Sequence, residues 1–178
     1  MQLDETPEIV TWPGMHYIFV EKMGAFLDTA PQAWQEMHWL VPEVSAHNEI
    51  NGYLSLYKLH QQIYRAGVAL AAEPVKLPNG LRYQAFPGGT YRRFVLTGGY
   101  SNLPRATLRT FAIVSEKKIR LRDDYNIENY VNDPKMTPQE QLITEILYPV
   151  TPDCTEGPGL ERVGLRLRGQ GWTEPLSL

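Results

Sequence analysis

The sequence contains a single cysteine, Cys154, which excludes an internal disulfide framework and any zinc site built on cysteines. No apolar run approaches the roughly 20 residues a membrane helix needs. The opening Met1-Gln2-Leu3-Asp4-Glu5-Thr6 is acidic and polar, unlike a secretory signal. Basic clusters are also missing. The net charge is −3, whereas phosphate binding needs a basic stripe. The four histidines, His16, His38, His47 and His60, show no metal-ligand spacing, and there is no Gly-x-Ser-x-Gly elbow, His-Glu-x-x-His or P-loop. These absences predict a soluble, cytoplasmic protein with no membrane contact, no direct nucleic-acid binding, no metal and no other cofactor.

What remains is a chain of 178 residues with 43% hydrophobic and 11% aromatic content, the composition of a folded domain with a sizeable core. After a polar start, Met15 to Val20 reads as a strand ending at Met23-Gly24. A helix with Pro31 in its first turn follows, its apolar positions Ala33, Trp34, Met37, Leu40 and Val41 recurring at helical spacing up to Pro42. Gly52 to Tyr57 and Tyr64 to Ala72 read as strands, and Pro74 to Gly89 as a Pro/Gly-rich link. The order then repeats: a strand from Tyr91 to Leu96, a helix opening at Ser101-Asn102-Leu103-Pro104, and a strand pair between Asn126 and Val150 joined through Asp133 to Pro138.

The two halves, about 15–72 and 90–150, correspond in more than order. Gly24-Ala25-Phe26 matches Gly98-Gly99-Tyr100, and Pro31-Gln32-Ala33 matches Pro104-Arg105-Ala106. Aligning Tyr64 to Ala71 with Leu142 to Pro149 sets Gly67 in the place of Glu145. A repeated strand-helix-strand-strand unit predicts an α+β fold with pseudo-two-fold symmetry, in which two helices flank a groove on an antiparallel sheet. Residues 1–150 would form this domain, and 151–178 a C-terminal extension or oligomer contact. Grooves between structural halves favour small ligands.

The last strand pair carries two acids among apolar neighbours. Alternation points Glu128 with Tyr130, and Glu145 with Ile143 and Leu147. Such an acid needs a partner or a use. For Glu145 the competing reading is a salt bridge to Arg65, Arg92 or Arg93. Trp34, His38, Trp39, Tyr53, Tyr57, Phe94 and Tyr130 are pocket candidates, with core packing as the alternative for each. Trp39 and Tyr53 stand out because they fall late in the first helix and on the strand after it, whereas Trp34 is spaced as a core residue. In apolar surroundings Glu145 could titrate as a general acid or base, with Tyr130 or Tyr53 steadying a leaving group, if the protein is an enzyme.

The motifs Phe94-Val95-Leu96-Thr97-Gly98-Gly99-Tyr100, Ile127-Glu128-Asn129-Tyr130-Val131-Asn132-Asp133-Pro134 and Thr144-Glu145-Ile146-Leu147-Tyr148-Pro149-Val150 resemble the GyrI-like small-molecule-binding domain. That family includes effector-binding domains of AraC-type and MerR-type multidrug regulators. The resemblance spans about Met15 to Val150 and implies an aromatic groove with acidic residues at its base. Cationic, lipophilic compounds would bind there, at Glu145, Glu128 and Tyr130, with Trp39, Tyr53, Tyr57 and Phe94 as walls and Gly67 leaving space. With the first strand near residue 15, no helix-turn-helix domain fits ahead of it, so a regulatory role would need a separate DNA-binding partner. Relatives that resemble cyclopropanoid hydrolases, or that inhibit gyrase, make a hydrolase of strained electrophiles or a gyrase-interacting protein the alternatives. A protein partner or homodimer is compatible with both.

Overall fold

The computed structural model describes residues 1–151; the expected C-terminal extension, apart from Thr151, lies outside the described residues. Nine strands and two α-helices follow one another along the chain. They are β1 (Gln2–Leu3), β2 (Glu8–Trp12), β3 (Met15–Met23), α1 (Phe26–Ser45), β4 (Ile50–Lys58), β5 (Ile63–Leu70), β6 (Arg82–Phe86), β7 (Gly89–Thr97), α2 (Leu103–Glu116), β8 (Asn126–Tyr130) and β9 (Ile143–Pro149). All pairings are antiparallel, in the order β1-β7-β9-β8-β4-β5-β3-β6, with β2 also on β7. The α+β architecture with two helices on one sheet is the one expected.

Three short strands escaped the sequence pattern. β1 and β2 lie in the polar start, and β6 lies in the Pro/Gly-rich link. They are edge strands, largely exposed on one face, and exposed edges lack the apolar alternation that marks a strand. Helix α1 begins two residues before Asp28 and continues through Pro42 to Ser45. A late proline thus did not end this helix, although it removes one backbone donor.

β4 and β8 join the halves, β3-α1-β4-β5 and β7-α2-β8-β9. Their register sets Tyr53 against Tyr130, Ser55 against Glu128 and Tyr57 against Asn126. Gly24 and Gly98 close β3 and β7 with φ of 129° and 134°, a region glycine enters readily. Their N–H groups donate to the carbonyls of Gln62 (2.9 Å) and Leu142 (2.8 Å). Gln62 therefore corresponds to Leu142, and Arg65 to Glu145. The expected correspondence of Gly67 with Glu145 is corrected by two residues. With β3 and β7 superposed in this way, the ladders carry Ser55 onto Glu128, and the approximate two-fold axis passes between these two residues.

The sheet curls strongly away from the helices. Six strand intervals, about 29 Å if flat, separate β2 from β3, and six separate β6 from β7. Yet Trp12 reaches Met15 and Phe86 reaches Gly89 across two residues each, a span of at most about 11 Å. The edges must therefore approach each other. Inside the curl, Trp12, Tyr17, Phe19, Leu54, Leu56, Tyr91, Ile127 and Leu147 form one buried cluster. On the outer face α1 buries Trp34, Met37 and Val41 against β3, β4 and β5, and α2 buries Ala106, Ile113 and Val114 against β7 and β9. Between the helices β4 and β8 form a floor.

Candidate functional site

The ladders lay out this floor as three rows of helix-facing residues across β5, β4, β8, β9 and β7. The first is Tyr64-Tyr57-Asn126-Tyr148-Arg92, the second Ala66-Ser55-Glu128-Ile146-Phe94, and the third Val68-Tyr53-Tyr130-Thr144-Leu96. Glu128 sits at the centre, 8% exposed. The Tyr130 hydroxyl donates to its Oε2 at 3.2 Å and Thr107 Oγ1 of α2 to its Oε1 at 3.3 Å. Among the described residues no lysine or arginine pairs with it. Burial pushes its carboxyl up to about 7, and the Tyr130 and Thr107 bonds only partly oppose that rise.

Beside Glu128, Ser55 Oγ lies 2.9 Å from the Tyr130 hydroxyl and 2.7 Å from that of Tyr64. Trp34 Nε1 of α1 donates to Ser55 Oγ (3.3 Å) and to the Tyr64 hydroxyl (3.1 Å). Each helix thus lends a donor to its own side of the axis, Trp34 to Ser55 and Thr107 to Glu128. The rings obey the same symmetry. Phe26, the first residue of α1, meets Tyr57 edge-on at 5.7 Å, and Tyr100, just before α2, meets Tyr130 edge-on at 5.3 Å. Trp34 also meets Tyr130 edge-on at 5.4 Å. Glu128 is therefore surrounded by aromatic rings, with a second buried acid, Asp133, acting on Tyr53 and Tyr100, a setting that attracts a soft organic cation.

Of the expected site residues, Glu128, Tyr130, Tyr53 and Tyr57 share this floor. Burial, and then Asp133, pushes the Tyr53 hydroxyl up to about 12. Phe94 lies at the far end of the second row, packed edge-on against Tyr148 under α2. The His38 ring lies 5.6 Å from that of Trp34, the two planes tilted by 43°. Burial and nearby Lys135 lower its pKa to about 4, so it is neutral at pH 7. Trp39 points into solvent, 79% exposed, because α1 buries the side that carries Trp34, Met37 and Val41.

Glu145 lies on the other face of the sheet. It is opposite Asn129 and Val95, inside the curl, where Arg93 Nη1 and Asn129 Nδ2 each donate to it at 2.9 Å. Glu128 and Glu145 are on neighbouring strands but point to opposite sides. Gly67 also faces the inside of the curl. A Cβ there would come within 2.3 Å of the Ile18 carbonyl oxygen and 2.7 Å of the Tyr17 ring, so its empty space is already filled by Tyr17.

Sequence reasoning missed Ser55, Tyr64, Tyr100 and Thr107; Trp34, spaced as a core residue, is buried in the core and also donates to Ser55. Ser55 was findable, since it is the one hydroxyl between Tyr53 and Tyr57 on their shared face. Thr107 was not, because a threonine on a helix carries no mark of what it faces. Among the described residues no cluster of histidine, cysteine or carboxylate could hold a metal, and no helix is long and apolar enough to cross a membrane.

No curated protein sequence matches the chain. Solved structures share its fold. The C-terminal domain of EcmrR is 17% identical with a TM-score of 0.67, covering 85% of this chain and 99% of that one. SAV2435, solved bound to tetraphenylphosphonium, is 14% identical with a TM-score of 0.62, over 82% of this chain and 94% of that one. A hydrolase from Listeria innocua is 12% identical with a TM-score of 0.55, over 83% and 93%. The family model for the GyrI-like small molecule binding domain matches residues 5–151, nearly the whole described region, and the chain belongs to that family.

Proposed function

We propose that the protein binds small amphipathic, cationic lipophilic molecules in the groove between α1 and α2, with Glu128 reading the charge. The observation that carries this reading is the burial of Glu128 without a cationic partner among the described residues, amid Trp34, Tyr57, Tyr64, Tyr100 and Tyr130. Leaving a carboxylate in such a place is costly. A ligand cation would relieve that cost and gain about 0.5–2 kcal/mol from each ring face it meets. The tetraphenylphosphonium bound by SAV2435, a protein of the same fold, is a ligand of this chemistry. Titration with tetraphenylphosphonium tests the reading: saturable binding that Glu128→Gln weakens supports it, and equal affinity in both proteins refutes it.

A second reading is favoured by one contact. The Tyr130 hydroxyl and the Glu128 carboxyl are hydrogen-bonded at 3.2 Å, a pair able to attack or protonate a strained electrophile. The fold is shared with a hydrolase from Listeria innocua. Turnover of a strained-ring or epoxide substrate, lost in both Glu128→Gln and Tyr130→Phe with folding intact, would establish this activity; its absence across a broad panel would remove it.

A further inference from the structure

The groove floor ends, at its first row, against a cavity of about 370 Å³, within the range of small-molecule sites. Its apolar walls include Leu59 of the β4–β5 turn, Phe111 of α2, Leu121 and Pro149. The charged side chains at its rim are already engaged with one another. Lys58 Nζ bonds Asp123 at 2.8 Å and Arg122 Nη2 bonds Asp124 at 3.1 Å. Arg122 Nη1 also donates to the carbonyls of Thr90 (2.6 Å) and Val150 (3.1 Å). The rim therefore presents no charge free of a partner to an incoming molecule.

Asn126 differs from these. It lines the cavity and is 7% exposed, yet among the described residues its carboxamide makes no hydrogen bond. A carboxamide offers two donors and an acceptor at once, so its natural complement is another amide or a carbonyl beside an N–H. We propose that this cavity is a second ligand site, which takes an uncharged molecule with an apolar body and an amide-like edge that pairs with the Asn126 carboxamide. The site stands on its own geometry and does not depend on the reading of Glu128.

Benzamide, which has both features, tests it. Titrated into the full chain and followed by amide-resolved NMR, it should give saturable shifts at Asn126, Phe111 and Leu121, including the Asn126 side-chain NH₂ signals. Asn126→Leu should weaken binding at least fivefold. Phe111→Ala, which removes an apolar wall and leaves the amide contact, should weaken it as well and serves if the first variant does not fold. Absence of saturable shifts at these residues, or unchanged affinity in the folded variants, overturns the proposal. Tetraphenylphosphonium titrated into the same wild-type sample reports on the Glu128 site independently, so either reading can fail without the other.

Discussion

Ser55 and Glu128 face each other across the β4–β8 pair, and each occupies the place in its half that the other occupies in its own. The approximate two-fold passes between them, so they are the one pair in which the two halves contribute equivalent positions to a shared point. There the halves differ: one supplies a hydroxyl that takes a bond from Trp34, the other a carboxyl that takes a bond from Thr107. The symmetry places an acid in one half where the other half has a hydroxyl, between the matched ring pairs Phe26–Tyr57 and Tyr100–Tyr130.

Removing that acid should remove charge selectivity. Glu128→Gln keeps the shape and deletes the charge, its oxygen accepting from one of the Tyr130 and Thr107 hydroxyls and its NH₂ donating to the other. Affinity for tetraphenylphosphonium should fall at least tenfold, or about 1.4 kcal/mol, in isothermal titration at pH 8. Affinity for an uncharged analogue such as tetraphenylmethane or triphenylmethanol should change little.

The raised pKa fixes the sign of the pH dependence. Below about 7 Glu128 is protonated, and a cation must then displace a proton. Affinity should rise from pH 5 to pH 8 and level off above 7, at no more than tenfold per pH unit. Stability runs the other way. The folded pKa lies above the ordinary 4.5, so the folded state holds more protons than the unfolded state between 4.5 and 7. Stability is therefore lost as pH rises through that window, by up to about 3 kcal/mol. Urea denaturation at pH 5 and pH 8, with Glu128→Gln as the flat reference, measures it.

The Tyr130 hydroxyl stabilises the ionised form, so deleting it should raise the midpoint further. In Tyr130→Phe the pH at which cation affinity levels off should move above 7. Stability should fall by about 1 kcal/mol for a lost buried hydrogen bond, because Ser55 keeps its contacts to Tyr64 and Trp34. An unchanged midpoint would mean that the 3.2 Å contact does not hold the proton equilibrium.

Alternation along β8 and β9 was legible in the residues: Glu128 does share a face with Tyr130, and Glu145 with Leu147. Which face meets the groove was not. In β9 residues of both parities are buried, from Thr144, Ile146 and Tyr148 on one side to Leu147 and Pro149 on the other, because the sheet is covered by helices outside and by its own curl inside. A strand buried on both faces gives no polar side from which to orient it. The edge strands that produce the curl, β2 and β6, were the elements the sequence pattern missed, so the inner face had no visible cover. The halves themselves were legible through Gly24 and Gly98, whose backbone geometry only glycine adopts easily. The last strands offered no such marker, and their alignment slipped by two.

Gly67 records the close packing of the inner face. Gly67→Ala would drive a Cβ against the Ile18 carbonyl and the Tyr17 ring, whose hydroxyl donates to the Leu54 carbonyl at 2.9 Å. Overpacking of this kind costs about 1–3 kcal/mol. Thermal unfolding should show the loss, with tetraphenylphosphonium affinity in the folded fraction unchanged, since the substitution lies across the sheet from Glu128.

Glu145→Gln separates the two acids. In the folded protein Glu145 accepts from Arg93 and Asn129, and Arg93 also bonds Glu8 at 2.6 Å. Its side chain is 16% exposed and that of Arg93 26%. This is a partly solvated pair, worth on the order of 1 kcal/mol. Glutamine keeps an acceptor for Arg93, and Arg93 keeps Glu8, so the loss of stability should stay near or below that figure. The Glu145 carboxyl points into the curl and is separated from the groove by the sheet itself. Cation affinity and its pH midpoint should therefore match the wild type, while Glu128→Gln changes both. A loss of cation binding in Glu145→Gln as large as that in Glu128→Gln, with the fold intact by circular dichroism, would place the ligand on the inner face and overturn the assignment of the groove.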